Sequence, residues 1–143
     1  MSPRQPWTPL AVEALKHMAD GHDQAAIDTV KRIHDRYGAD AVPEVMIAWV
    51  DTVLAVLPGD VTQSARNGIG LAFMNIDSGD VTGADEVPPA VRWAGRFLVA
   101  RAAFDRDQAE ALLGSFTTEQ EYGRAVFALL DTCAGVLRTA GRL

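Results

Sequence analysis

Between positions 42 and 57 the chain reads VPEVMIAWVDTVLAVL, with Val42, Val45, Met46, Trp49, Val50, Val53, Leu54 and Leu57 at steps of three, one and three. That is the period of a helix with one broad apolar stripe. The stripe demands burial, so the remaining elements are expected to be organised around it. Asp40 is placed to cap this helix, Pro43 is tolerated in its first turn, and Pro58-Gly59 closes it.

The same reading predicts two helices upstream. After an extended lead-in over residues 1–8, Thr8 followed by Pro9 is a good helix start. Leu10, Ala14 and Met18 recur at i+4 up to about Ala19 or Asp20, and Gly21 supplies a left-handed cap. Asp23 then caps a helix from about Gln24 to Tyr37, with Ala26, Ile27, Val30, Ile33 and Tyr37 inward and Gly38 as its stop. Connections this short predict antiparallel neighbours.

Downstream the pattern changes. Residues 59–67 are polar and aperiodic and read as a loop, and the segment of about 69–87 reads as a β-hairpin around Ser78-Gly79. Leu71 to Ile76 is apolar on both faces, so one face is expected to lie on the helices and the other on something else. Pro88-Pro89 opens a fourth helix, about Ala90 to Phe104. It carries Val91, Ala94, Leu98 and Ala102 on one side and Trp93, Phe97, Ala100 and Phe104 on another. Asp105 or Asp107 caps a short helix ending at Gly114. Thr117 or Thr118 with Glu121 resembles a capping box for a last helix to about Ala140, burying Tyr122, Val126, Leu129, Leu130, Cys133 and Leu137. The expected fold is mainly α: an irregular bundle of five to six helices with one inserted hairpin, in a single domain over 1–143.

Charge refines this picture more by distribution than by total. Of the net −6, residues 41–89 carry one basic and seven acidic side chains, while the flanking parts nearly balance. An acidic chain with only a scattered row of arginines repels phosphate backbones, so no nucleic acid partner is expected. No stretch reaches the roughly 18 consecutive apolar residues of a membrane helix, and the opening residues have no apolar run behind a basic region. The lone Cys133 forms no internal disulfide. A cytoplasmic location away from membranes is the expectation.

Candidate chemistry is sparse. His17, His22 and His34 all fall in the first two helices, and two of them stand in the pairs His22-Asp23 and His34-Asp35. Imidazole and carboxylate together bind divalent metals. The helical His…His-Asp…Asp order resembles the pattern of the HD metal-dependent phosphohydrolases. That resemblance would assign metal binding to His17 or His22, His34, Asp35 and one of Asp51 or Asp131, at spacings shorter than the family's. Against it stands the reading of these histidines as residues of wet helix faces. Gly68-Ile-Gly70 lacks the strand and helix of a dinucleotide site. The acids Asp77, Asp80, Asp85 and Glu86 lack calcium-loop spacing. Cys133 is expected to be small apolar filling. Asp51 falls on the side away from the stripe, with Arg96 or Arg101 as its partner if buried.

No cofactor is therefore expected. The leading expectation is a non-enzymatic protein-interaction or self-association module, a homodimer or a binder of another protein, with the hairpin and fourth helix as contact surface. Leu71, Phe73, Met74, Ile76, Trp93 and Phe97 are its interface candidates, because one small domain has trouble covering so much apolar surface alone. The alternatives are the metal-dependent phosphohydrolase and a small apolar ligand pocket lined by Trp49, Trp93 and Phe97.

Overall fold

Helical periodicity decides the architecture wherever the chain is described, which in this computed structural model is residues 5–57 and 88–143. The elements are α1 (Thr8–Ala19), α2 (Asp23–Tyr37), α3 (Ala41–Val56), α4 (Pro89–Ala102), α5 (Arg106–Leu113) and α6 (Glu119–Thr139). Every regular element among the described residues is a helix, which bears out the mainly α expectation. The hairpin of about 69–87 lies outside the described residues.

Cross-element bonds fix the directions. Tyr37 donates to the Pro6 carbonyl and Arg32 to Glu13, so α2 runs antiparallel to α1. Trp7 Nε1 donates to Glu44 (3.3 Å) and Trp49 Nε1 to the Ala11 carbonyl (3.0 Å), so α3 runs parallel to α1 and back along α2. Trp93 Nε1 reaches the Leu112 carbonyl at 2.9 Å, folding α5 back on α4. The last helix, 21 residues and about 31 Å long, packs against α1, α3 and α4. Arg138 Nη1 donates to the carbonyl of Ala19 at the end of α1, satisfying one of the carbonyls that a helix end leaves open.

The core follows the stripes. Val42, Val45, Met46, Trp49, Val50 and Val53 of α3 are all buried, while Leu54 and Leu57 are half-buried at its end. They meet Val126, Leu129, Leu130, Cys133 and Leu137 of α6, with Ala125, Ala128 and Ala134 allowing close approach. Burial pushes the Cys133 thiol far above its ordinary range, so it fills space and stays protonated. Trp7 folds back onto the helices and is buried.

Several caps differ from expectation. Trp7, not Thr8, occupies the cap of α1, and Thr8 sits inside the first turn, because burying the indole starts the helix one residue early. Asp23 is the first residue of α2 and does not cap it. Asp40 precedes α3 with helical backbone angles, which keep its carboxylate off the free amides, since a side-chain cap needs extended geometry. Asp105 and Thr118 do cap, accepting from Gln108 N (3.0 Å) and Glu121 N (3.1 Å). Glu121 answers one residue earlier than a regular capping box, accepting from Thr117 N at 3.0 Å. The inward face of α2 is Ala26, Thr29 and Ile33; Ile27, Val30 and Tyr37 are half-buried on its flank.

The end of α4 departs furthest from the periodic reading. The helix stops at Ala102, and Phe104 follows with φ +57°, a residue 78 % exposed. Val91, on one of the two apolar sides of this helix, is 38 % exposed. Asp105 N bonds to the Ala100 carbonyl (2.9 Å) and Phe104 N to that of Arg101 (3.2 Å), the paired bonds of a left-handed helix end. Glycine is the usual residue there. A non-glycine residue in this backbone region costs roughly 1–2 kcal/mol.

Candidate functional site

The histidines do not assemble a centre. His17 Nε2 lies 3.4 Å from Glu13 one turn earlier, and His34 Nδ1 lies 3.3 Å from its neighbour Asp35. The turn after α1 brings the His17 and His22 rings within 6.3 Å of one another. Asp51 is exposed, as its helical position predicts, and Arg101, one of the two partners named for the case of burial, holds it through three contacts of 2.9, 3.0 and 3.3 Å. Asp131 is exposed on α6. Among the described residues no three His, Cys, Asp or Glu side chains gather closely enough to hold a metal ion. Slight desolvation pushes the Glu13 carboxyl up, but hydrogen bonds from Arg32 and His17 outweigh it and hold the group below its ordinary value.

Trp49, Trp93 and Phe97 are buried in the interior. Trp93 stacks on Phe97 at 5.1 Å with an interplanar angle of 9°, Phe116 closes on Trp93 at 5.1 Å, and Tyr122 meets Phe116 edge-on. Such offset and edge contacts add about 0.5–1.5 kcal/mol per pair beyond burial. Trp93 and Phe97, both named above as interface candidates, are buried within the chain. Leu71, Phe73, Met74 and Ile76 lie outside the described residues.

What the helices leave open is a groove on the opposite flank of Tyr122. Ile27, Val30, Lys31 and His34 of α2 form one wall, Tyr122, Gly123, Val126, Phe127 and Leu130 of α6 the other, and Val42 of α3 the floor, enclosing about 200 Å³. Its origin is geometric. The residues that α2 presents fully to the core are small (Ala26) or polar (Thr29) apart from Ile33, so Ile27 and Val30 stand beside the contact, not within it. Half-buried Phe127 does the same from α6. Lys31 and His34 are the only ionisable side chains in the lining besides the Tyr122 phenol, whose pKa burial raises. The phenol oxygen donates toward Met46 Sδ at 3.8 Å.

Helical spacing places Ile27, Val30 and Tyr122 in the interior, whereas all three are half-buried, as is Phe127, which that spacing leaves out of the buried side. The signal available was that Phe127 and Val126 are adjacent, so that the apolar arc of α6 is too wide for one neighbour. Compared with known proteins, the chain matches no family model, no curated protein and no solved structure. No helix among the described residues is long and apolar enough to cross a membrane.

Proposed function

We propose that this chain is a non-enzymatic helical module that works by associating with protein, its own copies first. The observation that carries this reading is the open apolar groove between α2 and α6, a concave strip of aliphatic and aromatic side chains with Lys31 and His34 at its edge. Grooves of this make accept an apolar knob or an amphipathic helix from a partner. The fourth helix contributes its exposed position Val91, since Trp93 and Phe97 are committed to the core. Leu71, Phe73, Met74 and Ile76 complete the proposed contact surface.

Sedimentation velocity of the protein from about 1 μM to about 1 mM, the span from tight to transient contacts, tests this. A weight-average mass rising above the 15.4 kDa of one chain is the expected result. A mass fixed at one chain throughout contradicts it.

A small apolar ligand in the same groove is the second reading. It ranks lower because about 200 Å³ is less than the roughly 300–1,000 Å³ of most ligand pockets. The phosphohydrolase reading gains nothing from the described residues, where no metal-ligand group gathers.

A further inference from the structure

One side of α2 carries Gln24, Ile27, Asp28, Lys31, His34 and Asp35, at the steps of three and one that keep residues on a single helix face. Ile27, Lys31 and His34 also line the groove. Ile27 is half-buried and the polar members of the face are exposed. Charge alternates along it: Asp28 is an anion, Lys31 a cation and Asp35 an anion. Gln24 donates to one oxygen of Asp28 at 3.0 Å, and His34 lies 3.3 Å from Asp35. Among the described residues Lys31 has no hydrogen-bond or ion-pair partner. An ammonium at the lip of an apolar groove asks for an anion on whatever covers that groove.

The same face supplies the anion. When two α2 helices cross antiparallel about a point midway between Asp28 and Lys31, Asp28 of each copy stands opposite Lys31 of the other, and Gln24 stands opposite Asp35. A parallel crossing in register would instead oppose Asp28 to Asp28 and Lys31 to Lys31. The charges therefore select the antiparallel pairing. The last helix fits the same symmetry. Tyr122 near its start touches Met46 in the first half of α3, and Arg138 near its end reaches the end of α1, so α6 runs antiparallel to α2. The groove wall from Ile27 to His34 then lies along the wall from Leu130 to Tyr122, which brings half-buried Phe127 level with the point between Asp28 and Lys31.

We propose that two copies of this chain pair face to face over their α2/α6 grooves, with α2 antiparallel to α2 and Asp28 of each copy on Lys31 of the other. This pairing rests on the self-association reading above and specifies its geometry. One patch serves both partners, as a two-fold contact requires. Phe127 of each copy meets its counterpart at the centre, an aromatic contact within an apolar strip, and the charged pairs form the rim.

Charge reversal tests the pairing without touching the core, because both charged residues are exposed. Asp28→Lys sets cation against cation at both ends of the contact, and Lys31→Glu sets anion against anion. In sedimentation velocity from about 1 μM to about 1 mM, each variant alone is expected to associate at least about tenfold more weakly than the wild type. An equimolar mixture of the two variants is expected to associate as the wild type does, since every charged contact of the mixed pair again joins a cation to an anion. Melting temperatures at low concentration are expected to stay close to that of the wild type, as with other surface replacements. Wild-type association by either variant alone overturns the pairing and leaves self-association standing. A mixture no stronger than the single variants overturns the antiparallel contact. A wild-type protein that never associates overturns both this inference and the reading beneath it. Loss of association together with a lowered melting temperature in both variants also contradicts the pairing, since it would assign the two residues to folding.

Discussion

The ends of α1, α6 and α4 make the same left-handed turn with different residues. After α1, Gly21 N bonds to the Met18 carbonyl and His22 N to that of His17; after α6, Gly141 N and Arg142 N bond to Arg138 and Leu137 in the same way. Gly21 and Gly141 hold φ at +80° and +73°. After α4 the hydrogen bonds are alike, but Phe104 stands where the other two helices have glycine. A turn that glycine makes freely is thus made once by a bulky aromatic residue, with its ring turned outward. The hydrogen bonds are alike in all three turns, so what sets the end of α4 apart is the cost, roughly 1–2 kcal/mol, of placing a residue with a Cβ in the left-handed backbone region.

The largest effect contrasts two phenylalanines of the α4 region. Phe97 is fully buried, and Phe97→Ala should cost about 3–5 kcal/mol in denaturant unfolding. Phe104→Ala should change stability by less than about 0.5 kcal/mol, as surface replacements do. Next come the glycine ends. Gly21→Ala meets no atom within 4 Å, so its cost isolates the backbone and should be roughly 1–2 kcal/mol. A helix start gives a control of similar size, since Thr118→Ala removes the cap of α6 and should cost about 1 kcal/mol.

Phe104→Gly is the smaller, opposite effect. Relief of roughly 1–2 kcal/mol of strain is offset by about 0.5–1 kcal/mol of extra chain entropy. The net stabilisation expected is therefore about 0.5–1 kcal/mol, read as a higher urea midpoint with an unchanged slope. The last effect is a pH dependence at the start of α6. Hydrogen bonds from the Thr117 amide and hydroxyl hold the Glu121 carboxyl below its ordinary value. Its contribution is complete above the ordinary glutamate range and is lost as pH falls through the lowered value. Glu121→Gln should flatten the acid limb of the stability curve measured by thermal melts.

Helix identity and the main stripes were legible in the sequence because burial repeats at helical spacing. Val45, Met46, Trp49, Val50 and Val53 are buried as the pattern of α3 requires. The exposure of Asp51 was legible for the same reason, since it falls on the outer side of that helix; its pairing with Arg101 was named only for a buried aspartate. Phe104 was not, because periodicity continues through it and no glycine marks the stop. What ends α4 is a backbone reversal that residue preferences disfavour. The groove was hidden differently: Ile27 and Val30 have the right spacing for burial, and only the placement of α6 beside α2 leaves them at an edge. Caps were half legible, since Asp and Thr before a helix serve only when the backbone there is extended, as at Thr118 and not at Asp40.

The most direct test of self-association through the α2/α6 groove sets two readings on one variant side by side. Gly123→Leu, which places a side chain over the groove where a Cβ meets nothing within 4 Å, and the wild type are melted at low concentration and sedimented at high concentration in the same buffer. A melting temperature kept or raised together with a weaker tendency to associate is the expected result. Association unchanged in the variant would contradict the groove as the contact.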